Sequence, residues 1–180
     1  MAAVTTELTV KEFLELPVPE GERWELVRGE VVRMARARAM HEVVKSNAIW
    51  ELMAYLLQNP IGQVFPETTY ELSDQDAPQP DVSVLLNEQI ASWPEHVFFT
   101  CTPALVVEVV SSETAATLET KVELYLEKGA RTVLVLYPEQ LAVRIFEKAG
   151  HSRLVRGEEL VVIDWLPGFA VPAARFFWGL

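Results

Sequence analysis

The stretch ALVVEVVSSETAATLETK, residues 104–121, decides the fold because it begins as a strand and continues as a helix. Its run of valines and one leucine at 105–110 is typical of a central strand that is buried on both faces. Glu108 interrupts this run. An unpaired carboxylate in such a place costs several kcal/mol, so the sequence predicts that Glu108 has a cationic partner, a metal ion or a raised pKa.

The helix that follows is predicted over residues 114–128 and is closed by Gly129. Lys121 falls inside the apolar arc of this helix at 100° per residue. The glutamates of the helix share the opposite side: Glu119, Glu123 and Glu127. A strand–helix–strand unit over 104–137 is expected to be right-handed with parallel strands, which packs the helix over the strand of Glu108. Lys121 is therefore the expected partner of Glu108.

A second acid stands at the head of another predicted strand, QPDVSVLL at 79–86. Pro80 imposes extended geometry on the residue before it, so Asp81 lies near the start of the strand. If this strand neighbours that of Glu108, the two carboxylates converge and suit a hard divalent cation such as Mg²⁺. Two structural alternatives remain open: Asp81 bonding backbone amides, and a buried Glu108–Lys121 ion pair without a catalytic role.

The remaining pattern predicts a mixed α/β fold, with an antiparallel part and a parallel βαβ part, in a single domain over residues 1–180. A short helix is expected after the capping-box residues Thr9 and Glu12, and a hairpin is expected around Arg28-Gly29. The other predicted elements are a helix at 41–58, strands at 63–72, 80–86, 131–137 and 141–147, and a short β pair ending near residue 163.

Composition narrows the function classes. Half of the 180 residues are hydrophobic and 23% are charged, as in ordinary globular proteins. No apolar run reaches the roughly 18 residues of a membrane helix, and the N-terminus lacks the pattern of a secretory signal. The single cysteine, Cys101, rules out an internal disulfide and fits a reducing, cytoplasmic location.

A net charge of −11 argues against a general nucleic-acid coat protein, which would be basic. One stretch is locally basic, because residues 33–45 hold four cationic side chains against Glu42. The four are Arg33, Arg36, Arg38 and Lys45. We consider two interpretations, a solvated loop and helix start or a patch that faces phosphates.

Three motifs occur in order: PDVSV at 80–84, VVEVVS at 106–111 and ETKVELYLEKGA at 119–130. Their order and spacing resemble the Uma-type family of predicted restriction endonucleases, a bacterial group within the PD-(D/E)xK nuclease superfamily. WELVRGEVVRM at 24–34 and DWLPGFAV at 164–171 extend the resemblance over most of the chain. The resemblance implies a restriction-endonuclease-like core, with a mixed central β-sheet flanked by helices.

The resemblance also implies an Mg²⁺- or Mn²⁺-dependent endodeoxyribonuclease. Asp81 and Glu108, with the backbone carbonyl of Val109, would hold the metal, and Lys121 would orient the attacking water or stabilise charge on phosphorus. The superfamily's usual lysine position is occupied here by Val110. The family is thought to have moved this lysine to the following helix, which matches Lys121.

Accessory roles follow from the resemblance as well. Glu25, and with less support Glu30 and Glu67, would be a further ligand or would contact the ligands. His41 would face the site, although a histidine that leads a helix is more often a surface or capping residue. The implied partners are DNA and a second copy of the chain in a homodimer or higher homo-oligomer. Two other functions stay open: a catalytically inactive nuclease fold that acts through protein association, and a hydrolase of small phosphodiesters.

Overall fold

The computed structural model of the chain describes residues 7–34, 38–91, 98–111, 114–147 and 150–180. Its helices are α1 (Val10–Leu14), α2 (Ala39–Gln58), α3 (Asn87–Ile90) and α4 (Ala115–Lys128). Its strands are β1 (Arg23–Val27), β2 (Glu30–Met34), β3 (Gly62–Pro66), β4 (Val82–Leu86), β5 (Leu105–Val109), β6 (Thr132–Tyr137), β7 (Ala142–Glu147), β8 (Ser152–Arg156), β9 (Leu160–Val162) and β10 (Ala170–Pro172). No helix in these ranges is long and apolar enough to cross a bilayer.

The central sheet has six strands in the order β3-β4-β5-β6-β7-β8. All neighbours are antiparallel except β5 and β6, which run parallel on either side of the α4 crossover. The predicted mixed architecture is therefore confirmed. The hairpin β1–β2 and the pair β9–β10 form two small separate sheets.

Two predicted boundaries were wrong for identifiable reasons. The strand predicted at 63–72 ends at Pro66, because Glu67 adopts left-handed backbone with a φ of 46°. The short β pair predicted up to residue 163 is not a pair, since β8 joins the central sheet beside β7 while β9 bonds to β10. The residue pattern did not predict β10, whereas the family resemblance implied a closing strand at DWLPGFAV, 164–171, whose last residues begin β10.

Helix α4 has the ends that its sequence predicts. The Thr114 side chain accepts a hydrogen bond from the N–H of Thr117 at the start, and Gly129 closes the helix in left-handed backbone with a φ of 115°. The predicted capping box of α1 is also present, with Thr9 and Glu12 bonding each other's backbone N–H groups. Apolar residues of α4 such as Leu118 and Val122 pack this helix against the sheet.

The central sheet separates two hydrophobic layers. One face packs against α2 and the C-terminal segment, with Val82, Val84, Leu105, Val107, Val109, Leu134 and Leu136 pointing into that layer. The other face packs against α4, with Val106, Val133 and Val135 pointing towards it. Glu108 follows the same period-two alternation, so its side chain lies on the α4 face, as predicted.

Candidate active site

Two neighbouring strands bring Asp81 and Glu108 together. The antiparallel register pairs Val82 with Val107, so Asp81, one residue earlier, stands opposite Glu108. Both side chains are buried, at 4% and 2% exposure. Asp81 Oδ2 accepts the N–H of Val109 at 2.8 Å, which is the backbone bond expected of a structural aspartate at a strand start. The two carboxylates converge as the alternation predicted.

Helix α4 supplies two donors to Glu108. The Lys121 ammonium lies 2.8 Å from Glu108 Oε1 and is 1% exposed, so the predicted partner is in place. Tyr125, one helical turn later, donates its hydroxyl hydrogen bond to the same Oε1 at 2.8 Å. Tyr125 was not predicted as a site residue. The available signal was its position four residues after Lys121, on the same sheet-facing side of the helix.

The hairpin adds a third carboxylate, because β1 carries the fully buried Glu25. Glu25 Oε1 accepts a hydrogen bond from Lys121 at 3.2 Å. Glu25 Oε2 lies 3.0 Å from the same ammonium but lacks a hydrogen-bond partner. Glu30 lies at the exposed end of the hairpin, away from this cluster. Of these two glutamates, Glu25 is the one that joins the site.

Helix α2 contributes His41 from its first turn. Its Nε2 lies 3.2 Å from Asp81 Oδ2, and its Nδ1 lies 3.3 Å from Glu42 Oε1. The helix begins at Ala39, two residues before the predicted start, and Arg38 occupies the N-cap position. His41 is 6% exposed, so it is neither a surface residue nor the capping residue. The structure places it against Asp81.

Burial and mutual repulsion set the pKa values of the acids. Burial raises the pKa of Glu108 to about 8, with Asp81 and Glu25 adding to the rise and Lys121 opposing it. Burial also acts to raise the pKa of Asp81, but the hydrogen bond and charge of His41, the N–H of Val109 and the charge of Lys121 together outweigh it and the pKa is lowered. The pKa values of these two opposed acids are therefore shifted in opposite directions.

The basic groups respond in the opposite sense. Burial disfavours the charged ammonium of Lys121, but attraction from Glu108 and Glu25 outweighs this and raises its pKa. Burial likewise acts against a charged His41, but the hydrogen bond and charge of Asp81 together with the hydrogen bond to Glu42 outweigh it, so the pKa of His41 is raised. Lys121 stays cationic at neutral pH.

The site has three buried carboxylates for one ammonium and one imidazole, so its donor chemistry fits an added cation. Hard oxygen ligands from Asp81 and Glu108 suit Mg²⁺ or Mn²⁺. Within the described ranges, no three His, Cys, Asp or Glu side chains already stand together as a ligand set. A metal held here would draw on these two carboxylates and complete its shell with water or backbone oxygens.

The predicted basic patch does not act as one surface. Arg38 is exposed beside the site, whereas Arg33 is exposed with its guanidinium 4.7 Å from the centre of the Trp24 ring. Lys45 is buried, and its ammonium lies 2.7 Å from a carboxylate oxygen of both Glu42 and Glu67. Glu67 also pairs with Arg23, so it belongs to an ion-pair network that reaches His41 through Lys45 and Glu42. Arg36 lies outside the described residues.

A small cavity of about 90 Å³ lies beside His41, the histidine that contacts Asp81. Its lining includes Arg38, His41, Val110, Ser111, Tyr137 and Glu139. It sits where the parallel strands β5 and β6 end, the edge at which ligands bind in open α/β sheets. Among the site residues described above, His41 is the one that lines this cavity.

Comparison with known proteins shows the fold and the family of the chain. A crystal structure of a "putative nuclease belonging to DUF820" from Anabaena variabilis has the same fold, with a TM-score of 0.84 at 18% identity, over 94% of this chain and 97% of that one. No curated protein sequence matches the chain significantly. The model of the Uma2 family, described as "Putative restriction endonuclease", matches residues 10–174. The chain therefore belongs to the Uma2 family.

Proposed function

We propose that this protein is a metal-dependent endonuclease that hydrolyses phosphodiester bonds of DNA. The observation that carries the proposal is the pairing of Asp81 and Glu108 on adjacent strands, with Lys121 bonded to Glu108 at the open end of the sheet. Family membership supports the reaction class. Buried carboxylates in excess of the nearby positive charge destabilise the folded protein unless a cation binds to them. A bound divalent cation would supply that charge.

Asp81 and Glu108 would hold Mg²⁺ or Mn²⁺. The bound metal would polarise the phosphate and lower the pKa of a coordinated water. Lys121 brings a permanent positive charge that stabilises negative charge developing on phosphorus, and Glu25 anchors its ammonium from the other side. Arg38 at the mouth of the cavity would contact a phosphate of the backbone.

The test is calorimetric titration of Mn²⁺ into the wild type and Asp81→Ala, with plasmid nicking measured on the same samples. Asp76→Ala is the matched control, because Asp76 is equally buried at 5% exposure but bonds Ser73 and Lys128 outside the site. We expect Asp81→Ala to lose metal binding and nicking together while the control keeps both. A wild type that binds no Mn²⁺ at millimolar levels would contradict the proposal and leave Glu108–Lys121 as a structural ion pair.

Protein association is a second candidate function, favoured by two exposed tryptophans. Trp50 is 68% exposed and Trp178 is 78% exposed, and they flank a groove of about 520 Å³. Such a surface is typical of contacts with another protein, including the second subunit of a homodimer. Light scattering of wild type and Trp50→Ala tests it: a dimer that dissociates on substitution supports association, and a monomeric wild type contradicts the homodimer.

The size of the substrate separates an endonuclease from a small-phosphodiester hydrolase. We expect nicking of long duplex DNA with little turnover of a chromogenic phosphodiester, since Arg38 lies outside the carboxylate cluster where an extended backbone would pass. Turnover of the small diester alone, lost in Asp81→Ala, would assign the site to the smaller substrate.

A further inference from the structure

The least expected feature of the site is a phenol on the central carboxylate. Tyr125 is fully buried on α4, and its ring packs among the apolar residues on that face of the sheet. Its hydroxyl donates to Glu108 Oε1 at 2.8 Å, and the Lys121 ammonium lies 2.8 Å from the same atom. Two donors one turn apart thus converge on one carboxylate oxygen.

We propose that Tyr125 is a positioning residue that fixes the orientation of the Glu108 carboxylate, with Oε1 held by α4 and Oε2 turned towards the metal. This inference rests on the proposed metal-dependent function. Lys121 alone cannot fix that orientation, because its ammonium is shared with Glu25, 3.0 Å away. A second donor on Oε1 removes the remaining freedom of the carboxylate to rotate.

The chemistry of tyrosine suits this role. A phenol is an uncharged donor, and the Tyr125 hydroxyl donates directly to Glu108 Oε1 at 2.8 Å. It therefore orients Glu108 without adding charge to a cluster that must still attract a cation. Groups that hold metal ligands through their other atoms commonly contribute 10- to 100-fold, as an order of magnitude, to metal affinity or activity.

A structural explanation competes with this one, because any buried phenol needs a hydrogen-bond partner. The two differ in what removal of the hydroxyl changes. A purely structural bond would alter stability alone. A positioning bond would also weaken metal binding, while the rate at saturating metal and the KM for DNA stay close to wild type.

The experiment compares wild type, Tyr125→Phe and Tyr70→Phe. Tyr70 is also fully buried, and its hydroxyl bonds Ser83 at 2.6 Å, so its phenylalanine variant loses a similar bond away from Glu108. Mn²⁺ is titrated calorimetrically, and plasmid nicking is followed against Mn²⁺ concentration. For Tyr125→Phe we expect a Kd and a half-saturating Mn²⁺ about 10-fold higher or more, against less than about twofold for Tyr70→Phe.

Each outcome decides one question. A wild type that binds no Mn²⁺ overturns the proposed function, and this inference with it. A wild type that binds, with Tyr125→Phe binding equally well, overturns the inference alone. If Tyr125→Phe does not fold in plain buffer, all three proteins are titrated in trimethylamine oxide, which favours burial and the folded state. The same two comparisons then decide.

Discussion

The two faces of the central sheet follow the same alternation but hold opposite kinds of residue. The face towards α2 buries apolar residues such as Val107 and Leu134, and the polar Thr132 on β6 accepts a hydrogen bond from Trp165 there. The face towards α4 starts in the same way, with Val106 and Val135, and then buries Glu108 beside Lys121. One face is thus a core throughout, and the other is a core that ends in a charged cluster.

The two faces differ in how much they contribute to the stability of the fold. Apolar burial contributes roughly 25 cal/mol per Å² removed from water, so the α2 face favours folding wherever it packs. A buried ion pair adds little and often costs stability relative to hydrophobic residues of the same size. The charged cluster on the α4 face therefore adds little to the stability of the fold. The proposed metal site gives a reason for its presence.

The largest effect on stability and activity is expected from Lys121→Met, on the α4 face. This change keeps the packing volume but leaves Glu25 and Glu108 buried without their ammonium, so we expect a loss of about 3–5 kcal/mol in the free energy of unfolding, together with all nicking. Urea denaturation measures the first and plasmid nicking the second. Glu123→Ala, on the exposed side of the same helix, is the control and should stay within about 0.5 kcal/mol. If Lys121→Met lowers the free energy of unfolding by less than about 1 kcal/mol, the two buried carboxylates do not need the Lys121 ammonium for stability.

The corresponding change on the apolar face is Leu134→Ala. Leu134 is fully buried among the residues that pack against α2, so truncation should cost about 2–5 kcal/mol through lost burial and a residual cavity. The affinity for Mn²⁺ of the folded fraction should not change, because no site residue lies on this face of β6. A large change in Mn²⁺ affinity would mean that the two faces are coupled.

Much of the α4 face was predictable because its determinants are local. Period two in β5 places Glu108, and a period of 3.6 in α4 places Lys121, so their meeting required only the right-handed crossover between parallel strands. The convergence of Asp81 required one more assumption, that β4 neighbours β5, and the register confirms it.

The features that the local pattern left open depend on distant contacts. Only the family resemblance implied that His41 faces the site, because its contact with Asp81 depends on how α2 meets the start of β4. The pairing of Lys45, which was not predicted, depends on Glu67 from the loop after β3. No local pattern encodes such meetings between elements that are far apart in the chain. The same holds for β9, whose partner is β10 rather than the neighbouring β8.

The charged cluster should also make the metal-free protein sensitive to pH in a defined direction. The pKa of Glu108 rises from 4.5 to about 8 on folding, so between these values the folded state binds the extra proton. Stability from this group is therefore lost as pH rises through that window, and His41, whose pKa is raised above 6.5, acts in the same direction. Urea unfolding of EDTA-treated protein at about pH 6 and about pH 8 measures the fall.

The control for this pH dependence is Glu108→Gln, which cannot titrate. We expect a shallower fall in its unfolding free energy over the same range, since only the contribution of His41 remains. Equal pH dependence in the two proteins would mean that Glu108 is ionised throughout, fully compensated by Lys121. In that case the cluster would lack the unmet negative charge on which metal binding depends.

The smallest expected effect lies at the start of α2, where Arg38 occupies the N-cap without a side-chain hydrogen bond. A basic residue there opposes the helix dipole, so Arg38→Ser should stabilise the protein by about 0.5–1 kcal/mol. If Arg38 contacts a DNA phosphate, the same change should weaken DNA binding and reduce the slope of log K against log salt by about 1.

Arg156→Ser, an equal loss of charge at an exposed position on β8, should leave the salt slope unchanged. Filter-binding titrations across salt concentrations measure the slopes. An unchanged slope in Arg38→Ser would remove Arg38 from the DNA contact, whereas opposite shifts in stability and binding would show that this helix start trades stability for its contact with DNA.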